Sequence, residues 1–172
     1  MISYKIVLVG DFGAGKTSLI KRYVDNTFSE EYKSSIGVSI SKKILEVKID
    51  DILYETTMMI WDIEGKTDFK PIFHHHLKGS KGFVVVADLT RQTTIDSIQE
   101  HIKLCKTICK DALIVLALNK IDLYSNNVDL DALKDSFDEE IIGIFKTSAK
   151  NTSYVKELFD LLNLEIVKSI KK

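Results

Sequence analysis

The stretch Gly10-Asp11-Phe12-Gly13-Ala14-Gly15-Lys16-Thr17 decides the fold. It fits G-x-x-x-x-G-K-[ST], in which glycines let backbone N–H groups turn inward on an anion. Just before it, Ile6-Val7-Leu8-Val9 is a short continuous apolar run, as in a strand buried on both faces of a parallel sheet. Just after it, Thr17 to Asp25 has helical spacing, with Leu19, Ile20, Tyr23 and Val24 as its apolar stripe. Strand, tight loop and helix form the setting this pattern needs, because the helix start adds a positive dipole end. Asp11, Gly13, Ala14, Gly15, Lys16, Thr17 and Ser18 are therefore the expected phosphate-binding residues. Lys16 would reach the β- and γ-phosphates, and the Thr17 hydroxyl would bind Mg²⁺.

Working outward, Val38 to Ile49 alternates apolar and polar residues, Asp50-Asp51 is a turn signal, and Leu53 to Trp61 is a second strand. The two read as a hairpin. Gly82 to Ala87, Ala112 to Leu118 and Gly143 to Lys146 are further strands. Thr94 to Cys109 steps by three and four through Ile95, Ile98, Ile102, Cys105 and Ile108, which predicts one helix. Val155 to Ile170 closes the chain as another. The alternation predicts an α/β fold: a mostly parallel six-stranded sheet, one antiparallel edge strand from the hairpin, and helices on both faces. Ligands in such folds sit at the carboxyl ends of the strands.

Two motifs fall at such ends. Asn119-Lys120-Ile121-Asp122 follows one strand, and Ser148-Ala149-Lys150 follows the last. Guanine presents two adjacent donors, N1–H and the 2-amino group, and one carboxylate accepts both. Adenine presents an acceptor there and is repelled. Asp122 is thus the expected specificity residue, Asn119 bonds the base and ties the loop, and a backbone N–H of the Ser148 loop meets guanine O6. An ATP-dependent kinase on the same phosphate loop is the reading that Asp122 opposes.

Composition agrees with one compact unit. Of 172 residues, 45 % are apolar and 28 % charged, too apolar for a disordered chain. Lys and Arg (24) nearly balance Asp and Glu (25), which leaves no electrostatic footprint for nucleic acid. Cys105 and Cys109 exclude a disulfide framework and read as small core residues on one helix face, which fits a reducing cytoplasm. No apolar run reaches the 18 or more residues of a membrane span. Ile2 excludes N-myristoylation, and the last residues, Lys168 to Lys172, carry no Cys for prenylation. No lipid anchor is expected in this chain, so membrane association would come through partners or a further tail.

These residues together resemble the Ras-superfamily small GTPases, most of all the Rab branch. The likeness rests on Gly10–Thr17, Ser35-Ile36-Gly37, Trp61-Asp62 with Gly65, Asp88-Leu89-Thr90-Arg91, Asn119–Asp122 and Ser148–Lys150. It implies a single G domain of the P-loop NTPase type over residues 1–172, a monomer cycling between GTP and GDP with Mg²⁺. It also implies an effector, an exchange factor and a GTPase-activating protein as partners. By this resemblance Phe28 stacks edgewise on the guanine, and Lys120, Ala149 and Lys150 join its site. Ser35 ligates Mg²⁺, Asp62 holds it through water, and the Gly65 N–H bonds the γ-phosphate. Lys16 is the catalytic cation. Loss of the γ-phosphate would release both switch segments.

Four departures cluster around the γ-phosphate. Ser35 replaces the usual Thr. The usual Asp-Thr-Ala-Gly-Gln reads Asp62-Ile63-Glu64-Gly65-Lys66, so Lys66 stands where a Gln orients the attacking water. Lysine has three donors and no acceptor. Glu64 adds a carboxylate nearby, and Phe12 fills a place usually held by a small residue, where it would crowd an arginine finger. Slow intrinsic hydrolysis is expected; the alternative is a pseudo-GTPase scaffold that binds nucleotide without turnover. Elsewhere, His74-His75-His76 reads as a mobile, partner-facing surface rather than a metal site. Trp61 reads as core or effector surface, Asp129–Glu140 as a solvated loop and helix, and Asp11 as a surface residue of its loop, not a base.

Overall fold

The computed structural model describes residues 2–30, 37–63, 71–125, 130–137 and 141–171. The first strand, β1 (Ile2–Val9), sends Tyr4, Ile6 and Leu8 into one core and Val7 and Val9 into another. That split is what a strand buried on both faces requires. The loop at Gly10 leads into α1 (Lys16–Asp25). The hairpin follows as β2 (Val38–Ile49) and β3 (Ile52–Ile63), in register from Val38↔Ile63 to Ile49↔Ile52. Asp50 and Asp51 turn it with φ of 48° and 64°, the mirror-image turn that matches strand twist. Then come α2 (Pro71–Leu77), β4 (Gly82–Asp88), α3 (Gln92–Asp96), α4 (Ile98–Ile108) and β5 (Leu113–Asn119). A short 3₁₀ turn (Ile121–Leu123), α5 (Leu130–Phe137), β6 (Gly143–Lys146) and α6 (Val155–Lys171) complete the order.

The sheet runs β2-β3-β1-β4-β5-β6. The β2–β3 pair is antiparallel and every other pair is parallel, which is the expected sheet with its one antiparallel edge strand. One face lies under α1 and α6, through Leu19, Ile20, Leu158, Phe159, Leu162 and Ile166. The other lies under α2, α4 and α5, through Leu77, Ile98, Ile102 and Cys105, with Leu133 and Phe137 at its border. Parallel register brings four strand ends together. Leu8 pairs with Asp62, Val9 with Val85, and Asp88 with Asn119.

The helix expected from Thr94 to Cys109 is two helices that part at Ser97. The apolar spacing runs straight through the break, so periodicity could not reveal it. The Ser97 hydroxyl lies 2.8 Å from the Thr93 carbonyl, the local side-chain bond that competes with helix continuation. α2 was not among the expected helices. It contains His74, His75 and His76, with His75 exposed, His74 and His76 half-buried, and the His76 ring 6.2 Å from Trp61. Among the described residues no group of His, Cys, Asp or Glu could hold a metal ion. Cys105 and Cys109 are free thiols against the same core. Of the acidic stretch 129–140, only the part in α5 is described, with Asp135 and Ser136 exposed. Among the described residues no helix is long and apolar enough to cross a membrane.

Candidate nucleotide site

Residues 10–17 lie between the end of β1 and the first turn of α1. Two glycines are obligatory. A Cβ on Gly10 (φ 151°) would sit 2.2 Å from the Val86 carbonyl oxygen, and one on Gly15 (φ 100°) 2.2 Å from Asn119 Nδ2. Side chains hold the carbonyls of this loop one after another. Lys16 Nζ donates to Gly10 O at 2.8 Å and to Asp11 O at 3.2 Å. Arg91 Nη2 donates to Phe12 O at 2.7 Å, Lys120 Nζ to Gly13 O at 3.0 Å, and Asn119 Nδ2 to Ala14 O at 3.0 Å. Carbonyl and N–H point opposite ways across a trans peptide. Holding the Phe12 and Ala14 carbonyls on one side therefore turns the N–H groups of Gly13 and Gly15 to the other, the geometry of an anion nest.

Lys16 is buried, and burial pushes its ammonium down to about 8. Asp62 and Asp11 pull the other way, and Arg91 adds to the depression. An anion beside it would offset that cost. The Thr17 hydroxyl donates to Asp62 Oδ2 at 2.5 Å, and Asp62 is 3 % exposed. A hydroxyl and a buried carboxylate side by side are the hard oxygen donors that Mg²⁺ takes, so this pair fits such an ion. Ser18 is half-buried on the first turn of α1. Phe12 is 44 % exposed at the loop tip.

The second half of the site comes from the ends of β5 and β6. Asn119, 2 % exposed, bonds the phosphate loop through Nδ2, and its Oδ1 accepts from Thr147 Oγ1 at 3.2 Å. Lys120 has φ 64°, in the left-handed region that non-glycine residues rarely adopt. That twist accompanies an ammonium turned back over the phosphate loop. Asp122, on the 3₁₀ turn, accepts from Ser148 Oγ at 2.6 Å. Ala149 O accepts from Arg22 Nε at 2.6 Å, and Lys150 Nζ pairs with Glu30 at 2.7 Å. Phe28 packs against the first core. Thus Lys16, Thr17, Asp62, Asn119, Lys120, Asp122 and Ser148 converge at one end of the sheet. Ser35, Glu64, Gly65 and Lys66 lie outside the described residues.

Asp88 and His101 were not among the expected site residues. Asp88, buried at the end of β4, accepts from Lys120 Nζ at 2.7 Å, Arg91 Nε at 3.1 Å, and both the N–H and hydroxyl of Thr90. Burial alone would raise its carboxyl, but the bonds from Lys120 and Thr90 outweigh this and hold it below the ordinary range. Asp88 thereby aims two of the cations that tie the loop. The available signal was a carboxylate at a strand end. Asp11 is a correction: it is buried, 9 % exposed, rather than a surface residue. Its carboxylate meets His101 Nε2 at 2.9 Å and Ser97 Oγ at 3.0 Å, because the loop packs on α4.

Comparison with known proteins agrees with this geometry. Residues 5–168 match the Ras family. The chain is 36 % identical over 163 residues to the Ras-related protein Rab-1 of Theileria annulata, covering 91 % of this chain and 70 % of that protein. It is 33 % identical over 175 residues to the Ras-related protein Rab-32B of Dictyostelium discoideum, covering 98 % and 66 %. It is 34 % identical over 168 residues to the Ras-related protein Rab-7b of Bos taurus, covering 94 % and 80 %. With the phosphate loop, the Asn119–Asp122 turn and the Ser148 loop at one sheet end, and a family match across nearly the whole length, the chain belongs to the Ras family and is a Rab-like small GTP-binding protein.

Proposed function

We propose that residues 1–172 act as one G domain, a Mg²⁺-dependent GTP/GDP switch whose intrinsic hydrolysis is at or below about 10⁻⁴ s⁻¹, the slow level of unassisted small GTPases. The observation that carries the nucleotide half is the tying of the Phe12 and Ala14 carbonyls by Arg91 and Asn119, which supports a polyphosphate on the side to which the Gly13 and Gly15 N–H groups turn. In this reading Gly13, Ala14, Gly15, Lys16, Thr17, Ser18 and Gly65 surround the phosphates, through the N–H groups of all but Ala14, whose N–H closes the loop on the Asp11 carbonyl, with Lys16 as the cation. Asp122 takes the two guanine donors, Asn119 and the Ser148-Ala149-Lys150 loop frame the base, and Phe28 and Lys120 flank it. Thr17, Ser35 and Asp62, the last through water, would hold Mg²⁺, which supplies charge neutralisation between the phosphates.

The catalytic half rests on sequence. Lys66 can donate to phosphate but cannot accept a proton from water. Phe12, exposed at the loop tip, stands where an arginine finger would approach. The partner classes are an effector for the GTP form, an exchange factor and an activating protein, acting on a monomer. The same Lys66 favours a second reading, a scaffold that keeps its nucleotide unhydrolysed.

A single-turnover assay on GTP-loaded protein separates the two. Slow release of phosphate by the unmodified chain, accelerated about tenfold or more in Lys66→Gln, is the result expected of a switch. Brisk hydrolysis by the unmodified chain would contradict the proposed role of Lys66. Retention of GTP in both proteins would favour the scaffold.

A further inference from the structure

Asp11 sets a physical problem. It puts a negative charge inside an anion-binding loop, close enough to Lys16 to act on its ammonium. Left to itself, that carboxylate would compete with polyphosphate for Lys16. The structure answers with α4. Ile98, His101, Ile102 and Cys105 share the buried face of this helix, at spacings of three and four. His101 is 4 % exposed, and its Nε2 lies 2.9 Å from Asp11 Oδ1. Against a carboxylate that nitrogen must carry the proton, so it donates. Ser97 Oγ reaches Asp11 Oδ2 at 3.0 Å but also the Thr93 carbonyl at 2.8 Å. One hydroxyl has one proton, so Ser97 cannot serve both acceptors at once. His101 is therefore the steady partner.

The direction of this contact matters. α4 covers the sheet face opposite the one covered by α1. A carboxylate drawn to α4 is drawn away from the helix start where phosphate would lie. The Asp11 carbonyl meanwhile accepts from Ala14 N–H at 3.1 Å and from Lys16 Nζ, so fixing Asp11 also fixes the loop's internal bonds.

We propose that His101 is a positioning residue for polyphosphate: it draws the Asp11 carboxylate onto α4, which leaves Lys16 to the nucleotide and couples α4 to nucleotide retention. This rests on the nucleotide reading above, and the test keeps the two apart. Full-length protein is loaded with fluorescent GDP in Mg²⁺, and its release is followed after adding excess unlabelled GDP. His101→Phe keeps the ring volume but loses the donor, and should release GDP about tenfold faster. His101→Gln keeps an N–H near the same point and should recover most of that loss. Asp11→Asn removes the charge, so adding His101→Phe to it should change the rate by less than about twofold. Simple loss of core packing would instead give His101→Phe the same effect with or without Asp11→Asn. Unmodified protein that never retains GDP defeats the nucleotide reading and this inference with it. Unmodified protein that retains GDP, with His101→Phe releasing it no faster, defeats this inference alone. Should His101→Phe fail to fold, His101→Gln and His101→Asn decide. Asn carries its N–H nearer the position of Nδ1 and should release GDP faster than Gln, and equal rates would overturn the proposal.

Discussion

At the scale of single residues, the site depends on charges that hold backbone rather than ligand. Asp88 bonds Lys120, Arg91 and Thr90, and its carboxyl is held below the ordinary range. A carboxylate depressed on folding contributes stability above its unfolded pKa of about 3.9, and loses it as pH falls through the lower folded value. Asp88→Asn should therefore lower stability by about 1–3 kcal/mol at pH 7 and flatten the acid limb of a stability-against-pH curve. Denaturant unfolding of both proteins between pH 7 and pH 3 measures this. The motifs that meet at this end of the sheet were legible in the sequence, because a turn of obligatory glycines and the Asn119–Asp122 and Ser148–Lys150 segments show as particular residue types at fixed places after strands. Asp88 and His101 were not, because a buried carboxylate or imidazole is identified by what packs against it. Asp11 was misread for the same reason: its partners lie 86 and 90 positions away.

At the scale of elements, α6 is tied to the sheet by more than its apolar face. Asn163, 3 % exposed, accepts from the Tyr4 hydroxyl of β1 and from the Thr56 hydroxyl of β3 at 3.1 Å. Thr56 also reaches the Leu45 carbonyl at 3.3 Å, so Tyr4 is the group that would lose its partner. Asn163→Leu should cost about 1–3 kcal/mol, and adding Tyr4→Phe should recover most of it, because an unsatisfied buried hydroxyl is the penalty being removed. Thermal or denaturant unfolding of the single and double variants tests this. The strands and α6 were legible from continuous apolar runs and a long amphipathic period. The break at Ser97 was not, since Ile95, Ile98 and Ile102 keep helical spacing on both sides of it. α2 was missed because a seven-residue helix with three consecutive histidines carries almost no apolar period.

At the scale of the whole molecule, the sheet order makes the site. Parallel pairing of β3, β1, β4 and β5 sets Asp62, the residue 10–17 loop, Asp88 and Asn119 side by side, although they are far apart in sequence. The fold class was legible because alternating strands and helices admit few arrangements. The central claim is that this end of the sheet holds a guanine nucleotide by its phosphates and selects it by Asp122. Titration calorimetry of nucleotide-stripped protein in Mg²⁺ tests it directly, with GDP in one cell and ADP in another. The expected result is tight 1:1 binding of GDP and at least about 1,000-fold weaker binding of ADP, since two charge-assisted bonds to the base are lost. No heat with GDP, or equal affinity for the two nucleotides, would contradict it.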